Sequence, residues 1–358
     1  MLRFLVIMIF PIMLMGCKPS NMKDGVLESN KIYKLKHTFY KEIIMHNPQI
    51  EVVDSFVVLV SVRNGEDVCK VYSIDKKMEE VCTYGSFGQG PKDFRQPVLT
   101  AATGNTFGIN EINEMQYVEL GIEQIDGKVK VVEKERHKAT YQRLKGEEYT
   151  PKDTRYMPLK NGQYYVSCFF LKDGCFFTLS DSLMQPLTRF GKSPIKEDVP
   201  TSGIRSRLNG FTDVYGFRFF YATGELPYLS SYTLNGNDMD LDWEIFYKEP
   251  HYGVVRSEVR YDREKSTGPL NDMRADSRYV YLLYMDQLLS ENDYYKTEKS
   301  CSNKIFVFNY QGEEIARLEL DNRLSKIAID ENRRKIYGIA HIPDVGLIEY
   351  DLPKELWN

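Results

Sequence analysis

The sequence predicts an all-β chain, a six-bladed β-propeller that follows an N-terminal signal peptide and a short tether. Three observations predict the fold class. Aromatic residues reach 13%, as 25 Tyr and 19 Phe against 2 Trp, and Tyr and Phe fit the pleated surface of strands. Apolar runs alternate with polar residues and are punctuated by Asn64-Gly65, Asp126-Gly127, Asn235-Gly236 and Gln311-Gly312; Asn-Gly and Asp-Gly mark hairpins because both positions tolerate a positive φ. No amphipathic helix longer than two turns stands out in the 358 residues.

Residues 1–16 have the layout of an export signal. Arg3 supplies the positive start, and Phe4 to Met15 is an apolar run broken by Pro11. That run is too short to span a bilayer comfortably. It ends in Leu14-Met15-Gly16-Cys17, which resembles the lipobox of bacterial lipoproteins; the resemblance implies cleavage before Cys17 and acylation of its thiol. Residues 17–30 then form a polar tether, and residues 31–358 form the propeller. The chain is expected in the cell envelope, as an outer-membrane lipoprotein facing the periplasm or the cell surface. Five further cysteines remain, Cys69, Cys82, Cys168, Cys175 and Cys301. Cys69 with Cys82 and Cys168 with Cys175 each flank a hairpin turn, where a bridge would demand a particular register; small buried side chains is the reading favoured for each pair.

From the tether onward the strands follow in order. Lys31 to Ile44 alternates loosely and reads as a strand or two that pair with the end of the chain. Val52 to Val62, Val68 to Ile74 and Glu80 to Tyr84 form the first group. Comparable groups recur, so that six units begin near Asp54, Pro97, Arg155, Ile204, Met273 and Arg323. Their length suits propeller blades with loop insertions. About twenty strands are too many for a sandwich, which needs seven to nine.

Between the first two units lies Gly85-Ser86-Phe87-Gly88-Gln89-Gly90-Pro91-Lys92-Asp93-Phe94. Glycine permits backbone angles that other residues avoid, and proline holds its own, so this stretch is a shaped corner. Phe190-Gly191-Lys192-Ser193-Pro194 reads as a weaker copy, which makes the corner a joint between units. The stretch resembles the Gly-Pro-x-x-Phe corner of the TolB-like six-bladed β-propeller lipoproteins of Bacteroidetes, with Asp93 where that family usually has Glu. The resemblance covers roughly residues 30 to 352. It implies an exported, lipid-anchored propeller and brings no catalytic motif.

Charge and motifs narrow the function classes. A net charge of −4 gives no general attraction to nucleic acid. There is no Gly-x-Ser-x-Gly elbow, no His-Glu-x-x-His and no phosphate loop ending in Lys-Ser or Lys-Thr, so no catalytic residue, metal ligand or cofactor is assigned. Asp238, Asp240 and Asp242 alternate, but no Gly and Glu follow to complete a calcium loop. His46, His251 and His341 are scattered near loops. At the unit entries stand Arg95, Arg155 with Tyr156, Arg205, Arg207, Arg274 and Arg323, with Lys326 close by. If they converge they make a basic funnel suited to carboxylate or phosphate; otherwise each ties down its own loop. The expected function is a binding or scaffold module for an envelope protein, peptide or glycan, held to the membrane by its lipid. The alternative is a metal-dependent hydrolase or lyase working in the central channel.

Overall fold

The computed structural model describes residues 22–23, 29, 31–45, 47–62, 67–138, 155–168, 174–197, 199–200, 208–291, 301–341 and 345–357. Among these there are strands and two short 3-10 turns but no α-helix. Three strands come first: β1 (Met22–Lys23), β2 (Ile32–Leu35) and β3 (Thr38–Glu42). Then come four antiparallel meanders of four strands each, the last widened to a five-stranded sheet by β1, which pairs parallel with its outer strand. They are β4 (Gln49–Val53) to β5 (Phe56–Val60), β6 (Cys69–Ser73) and β7 (Glu79–Tyr84); β8 (Pro97–Thr103) to β9 (Thr106–Glu111), β10 (Gln116–Ile125) and β11 (Lys128–Lys138); β12 (Tyr156–Leu159) to β13 (Tyr164–Cys168), β14 (Cys175–Asp181) and β15 (Pro186–Lys192); and β16 (Gly210–Tyr215) to β17 (Arg218–Thr223), β18 (Tyr228–Asn235) and β19 (Asp238–Phe246). A hairpin of β20 (Tyr252–Val255) and β21 (Glu258–Tyr261) follows.

The rest of the chain forms one eight-stranded sheet. Its path is β22 (Leu270–Ala275), β23 (Tyr279–Tyr284), β24 (Ser302–Asn309), β25 (Glu314–Asp330), β26 (Lys335–Ala340), β27 (Gly346–Asp351) and, last, β3; β2 lies beside β25 off this path. Strand β25 is 17 residues long. Its first part pairs with β24 and its last part with β26. The sequence expectation that Lys31 to Ile44 meets the end of the chain is satisfied, because β3 pairs antiparallel with β27.

The arrangement is propeller-like. The first strands neighbour one another in the cyclic order β4, β8, β12, β16, β22, the end of β25, and β4 again. Apolar clusters fill each gap between neighbouring sheets. Val58, Val71 and Phe94 meet Phe107, Ile109 and Val118 in one gap; Tyr117 meets Tyr156 and Tyr165 in the next. Phe177 and Phe190 pack on Phe219 and Tyr221, and Phe220 and Trp243 on Met273 and Phe308. Tyr281 and Val307 face Ile327 and Ile336, and Tyr337 and Ile339 face Ile50 and Leu59.

This packing explains the sequence pattern. Within Phe219-Phe220-Tyr221-Ala222 the alternate side chains enter two different gaps. Both faces of the strand are buried, so the run reads as continuously apolar rather than as clean alternation. The run Val52 to Val62, read as one strand, is two: Asp54 and Ser55 turn β4 into β5, with Asp54 at φ +52°. Asp126 and Gly127 turn β10 into β11 as the sequence predicts, both at positive φ. Asn64-Gly65 lies outside the described residues.

The glycine-rich corner joins β7 to β8. Gly85 sits at φ +77°, and a Cβ there would press on the Phe94 ring at 3.1 Å. The Asp93 carboxylate accepts from Ser86 Oγ at 2.8 Å and from the Gly90 amide at 2.8 Å. The Phe94 amide donates to Ser86 O at 2.9 Å, and the Gly88 amide to Phe94 O at 3.1 Å. Phe94 is fully buried between the first two sheets. In the second corner Gly191 has φ +72° and abuts the Phe177 ring. Its counterpart is therefore Gly85, which also follows an aromatic residue, and not Gly88, whose φ is not positive.

Candidate functional site

Each first strand ends in a hairpin turn at the same end of the central axis. A cavity of about 620 Å³ opens there, and its wall takes Asp54, Asn105, Lys160, Gly216, Asp276 and Glu331, one residue from each of the six turns. Glu51, Asp213, Asp330 and Arg274 complete its charged lining. Six carboxyl groups thus face two cations, Lys160 and Arg274.

The carboxylates are fixed by the backbone of the next turn or strand. Asp276 accepts from the amides of Arg278 and Tyr279, both at 2.8 Å, and from Tyr281 Oη at 2.7 Å. Asp330 accepts from the Arg333 amide at 2.9 Å and pairs with its guanidinium at 3.2 Å. Glu331 accepts from Tyr215 Oη and from the Ser277 amide, both at 3.0 Å. No hydrogen bond or ion pair engages the Asp54 side chain among the described residues, although Arg333 donates to its carbonyl at 3.0 Å.

The floor of this cavity is a buried belt of Glu51 on β4, Asp213 on β16 and Arg274 on β22. Asp213 accepts from the amides of Val214 at 2.9 Å and Ala275 at 2.7 Å. Arg274 donates to Met273 O at 2.9 Å and, past β25, to Ile50 O on β4 at 3.0 Å. Its Nε lies 3.8 Å from Glu51 Oε2, too far for a hydrogen bond, and no other partner satisfies that buried donor. Burial pushes the Glu51 carboxyl up from 4.5 to about 7, although Arg274 pulls the other way. Burial likewise raises Asp213 from 3.8 to about 6. Burial opposes the charge of Arg274, but Asp272, Glu51 and Asp213 outweigh it and hold the guanidinium protonated. Desolvation of a charge and attraction to its neighbours act in opposite senses here, and for the carboxyls desolvation wins.

On the other side of the belt, where the first strands begin, is a cavity of about 70 Å³. Arg155, Lys326, Thr100 and Asp272 line it, together with the belt residues. Asp272 accepts from the Ile327 amide at 2.9 Å and lies 3.5 Å from Arg274 and 3.7 Å from Lys326. Lys326 donates to Asn271 O at 2.9 Å and sits over the Phe211 ring. Burial pulls its pKa down, and Arg274 and Arg155 add to that while Asp272 opposes it.

The structure gathers Arg155, Arg274 and Lys326 among the predicted cations. Arg95 stands apart from both cavities, 3.5 Å from Glu114, with its amide donating to Glu111 at 2.7 Å. Tyr156 is buried against Tyr117 and Tyr165, and its backbone exchanges two hydrogen bonds with the Asn110 side chain, at 2.8 and 3.0 Å. Arg323 lines neither cavity. Cys17, Arg205, Arg207 and His46 lie outside the described residues. Asp242 is held by Arg218, Ser231 and Thr233, and Asp240 by Asn235. His341 meets Ser325 Oγ at 2.7 Å, and burial lowers its pKa. Among the described residues no three His, Cys, Asp or Glu side chains come together as a metal set. Cys69 and Cys82 are both free thiols; the register sets Cys69 opposite Tyr84 and Cys82 opposite Val71, so they are offset by two residues.

The sequence places Asp54 and Asp272 as the acids among basic unit entries, whereas Asp54 lies in the turn after β4; Asp276 and Asp330, at the ends of first strands, were missed. The signal was present: Val53-Asp54, Ala275-Asp276 and Ile329-Asp330 each close a first strand with Asp.

No family model matches the chain, and no curated protein matches it. Solved structures do. One is a Bacteroides fragilis protein described as exported, with a TM-score of 0.54 and 10% identity, covering 89% of this chain and 98% of that one. Another is a member of the DUF4221 family from Bacteroides vulgatus, with a TM-score of 0.51 and 9% identity, covering 90% and 98%. At such identities the likeness is one of fold.

Proposed function

We propose that this chain is an exported, lipid-anchored six-bladed propeller that works as a binding module, with the wide acidic mouth as its ligand site. The six-blade count rests on dividing the eight-stranded sheet within β25: one unit is β22 to the start of β25, the other the end of β25 to β27 with β3 as its outer strand. Export and anchoring rest on the signal-like residues 1–16, on Cys17 and on the lipobox resemblance. Replacing Cys17 with Ser should release the chain from the membrane fraction, and a variant that stays membrane-bound would overturn the anchor.

The observation that carries the binding reading is the cavity of about 620 Å³ ringed by all six turns, within the usual size of ligand pockets. Its excess of carboxylates favours a ligand that presents an amine or guanidinium group, such as a basic peptide or an amino sugar. Asp54, exposed and without a side-chain partner, is the group most ready to receive it. Such a ligand should raise the melting temperature of the full chain in step with its occupancy. The double variant Asp54→Asn, Glu331→Gln should weaken that rise by roughly tenfold in ligand concentration. If amines, amino sugars and basic peptides leave the melting temperature unmoved, the mouth is not this binding site.

A further inference from the structure

We infer a second site at the opposite end of the axis: the small cavity lined by Thr100, Arg155, Arg274 and Lys326 takes the carboxylate group of a ligand. It lies on the far side of the belt from the wide mouth, shares Glu51, Asp213 and Arg274 with it, and does not depend on a ligand there.

Four observations converge on it. Thr100 is 8% exposed, it lines the cavity, and its hydroxyl has no hydrogen-bond partner among the described residues. A buried hydroxyl left unpaired costs free energy, so a ligand that accepts from it recovers that loss. The Nε–H of Arg274, lining the same cavity, is a second buried donor without a hydrogen bond. Arg155 is exposed at the rim and has no hydrogen-bond or ion-pair partner among the described residues. Lys326 directs one proton to Asn271 O and stands at 3.7 Å from its nearest carboxylate, so its ammonium retains donor capacity. Three cations from three strands of the ring, or beside them, thus crowd one space, and they repel one another.

The acids that share the cavity are already engaged as acceptors. Asp213 takes two amides and Asp272 takes one amide beside its two cations. Glu51 Oε1 takes the Val52 amide at 3.1 Å. The cavity therefore has donors in surplus and acceptors in use, which is the complement of an anion. The same three acids decide which anion. A doubly charged phosphate would meet their repulsion twice over, whereas a planar monoanionic carboxylate suits the Arg fork and a single hydroxyl donor. About 70 Å³ holds one such head group, with the rest of the ligand leaving past Arg155.

The test titrates the full chain with acetate, glucuronate, a short peptide with a free C-terminus, its C-terminal amide, and inorganic phosphate, and reads melting temperature and heat of binding. At least one of acetate, glucuronate and the free-acid peptide should bind, with the amide and phosphate at least tenfold weaker. Glucuronate against the free-acid peptide tells an acidic sugar from a chain terminus. Thr100→Val and Arg155→Met should each weaken carboxylate binding roughly tenfold, and both leave the fold intact because one is near-isosteric and the other exposed. The wide-mouth variant Asp54→Asn, Glu331→Gln should leave carboxylate binding unchanged, so loss of one site is distinguishable from loss of the other. The inference falls if no carboxylate binds, if phosphate binds as tightly, or if both single variants bind like the wild type.

Discussion

At the scale of single residues, the axis is governed by Glu51. Its carboxyl is raised from 4.5 to about 7 by burial. The folded state therefore keeps a proton that the unfolded chain has released. Stability from this group is full below about 4.5, falls as pH rises from there and is gone once pH passes about 7, the reverse of an ordinary ion-paired acid. The total loss is roughly 3 kcal/mol, of which about 1 kcal/mol falls above pH 6. Asp213 contributes a similar slope, but one complete by about pH 6. Urea unfolding at pH 6 and pH 8 isolates Glu51: the wild type should lose stability between these values, and Glu51→Gln should lose much less. A wild type whose stability is flat or rising from pH 6 to 8 would show that Arg274 keeps Glu51 ionised throughout. Arg274 itself was legible as a cation at a strand entry. Asp272, on the same strand, was legible beside it; Glu51 and Asp213 were not, because they come from two other strands.

At the scale of elements, the corner between β7 and β8 is a stapled loop that carries one buried plug. Asp93 grips Ser86 and Gly90, and this returns Phe94 to the gap between two sheets. Phe94→Ala should cost roughly 3–5 kcal/mol, since no exposed neighbour can fill the space. A denaturation midpoint within experimental error of the wild type would mean that the gap closes without it. The purpose of this stretch was legible because its punctuation is local: glycine, proline and aromatic residues act within ten positions. Its phase with the second corner was not. The sequence likeness of Phe190-Gly191 to Phe87-Gly88 points to Gly88, whereas the conformation that repeats is the left-handed glycine after an aromatic residue, Gly85 and Gly191. A sequence shows that glycines recur, but not which of them takes the positive φ.

At the scale of the whole molecule, the N-terminal strand closes what the C-terminal strands begin. β3 covers the edge of β27, and β2 lies along β25. Deleting residues 31–45 would expose β27 as a bare edge and uncover part of the core at Ile43. The melting temperature should fall on the order of 10 °C, with self-association on size-exclusion chromatography. A truncated chain that melts like the intact one and stays monomeric would show that the ring does not need its N-terminal strand.

The sequence by itself determined the all-β class, the recurrence of short antiparallel groups, the turn at Asp126-Gly127, the corner at Gly85 to Phe94 and the meeting of the chain's two ends. All of these follow from local backbone preference or from a periodicity visible along the chain. Only the tertiary structure decided which end of the axis is wide and that it is acidic. It alone joined Glu51, Asp213 and Arg274 into a floor, and left Thr100 with an idle hydroxyl beside Arg155 and Lys326. The reason is geometric. Each first strand contributes only one or two axial side chains, so the axis is built from residues tens to hundreds of positions apart, and their charges are summed only when the ring closes.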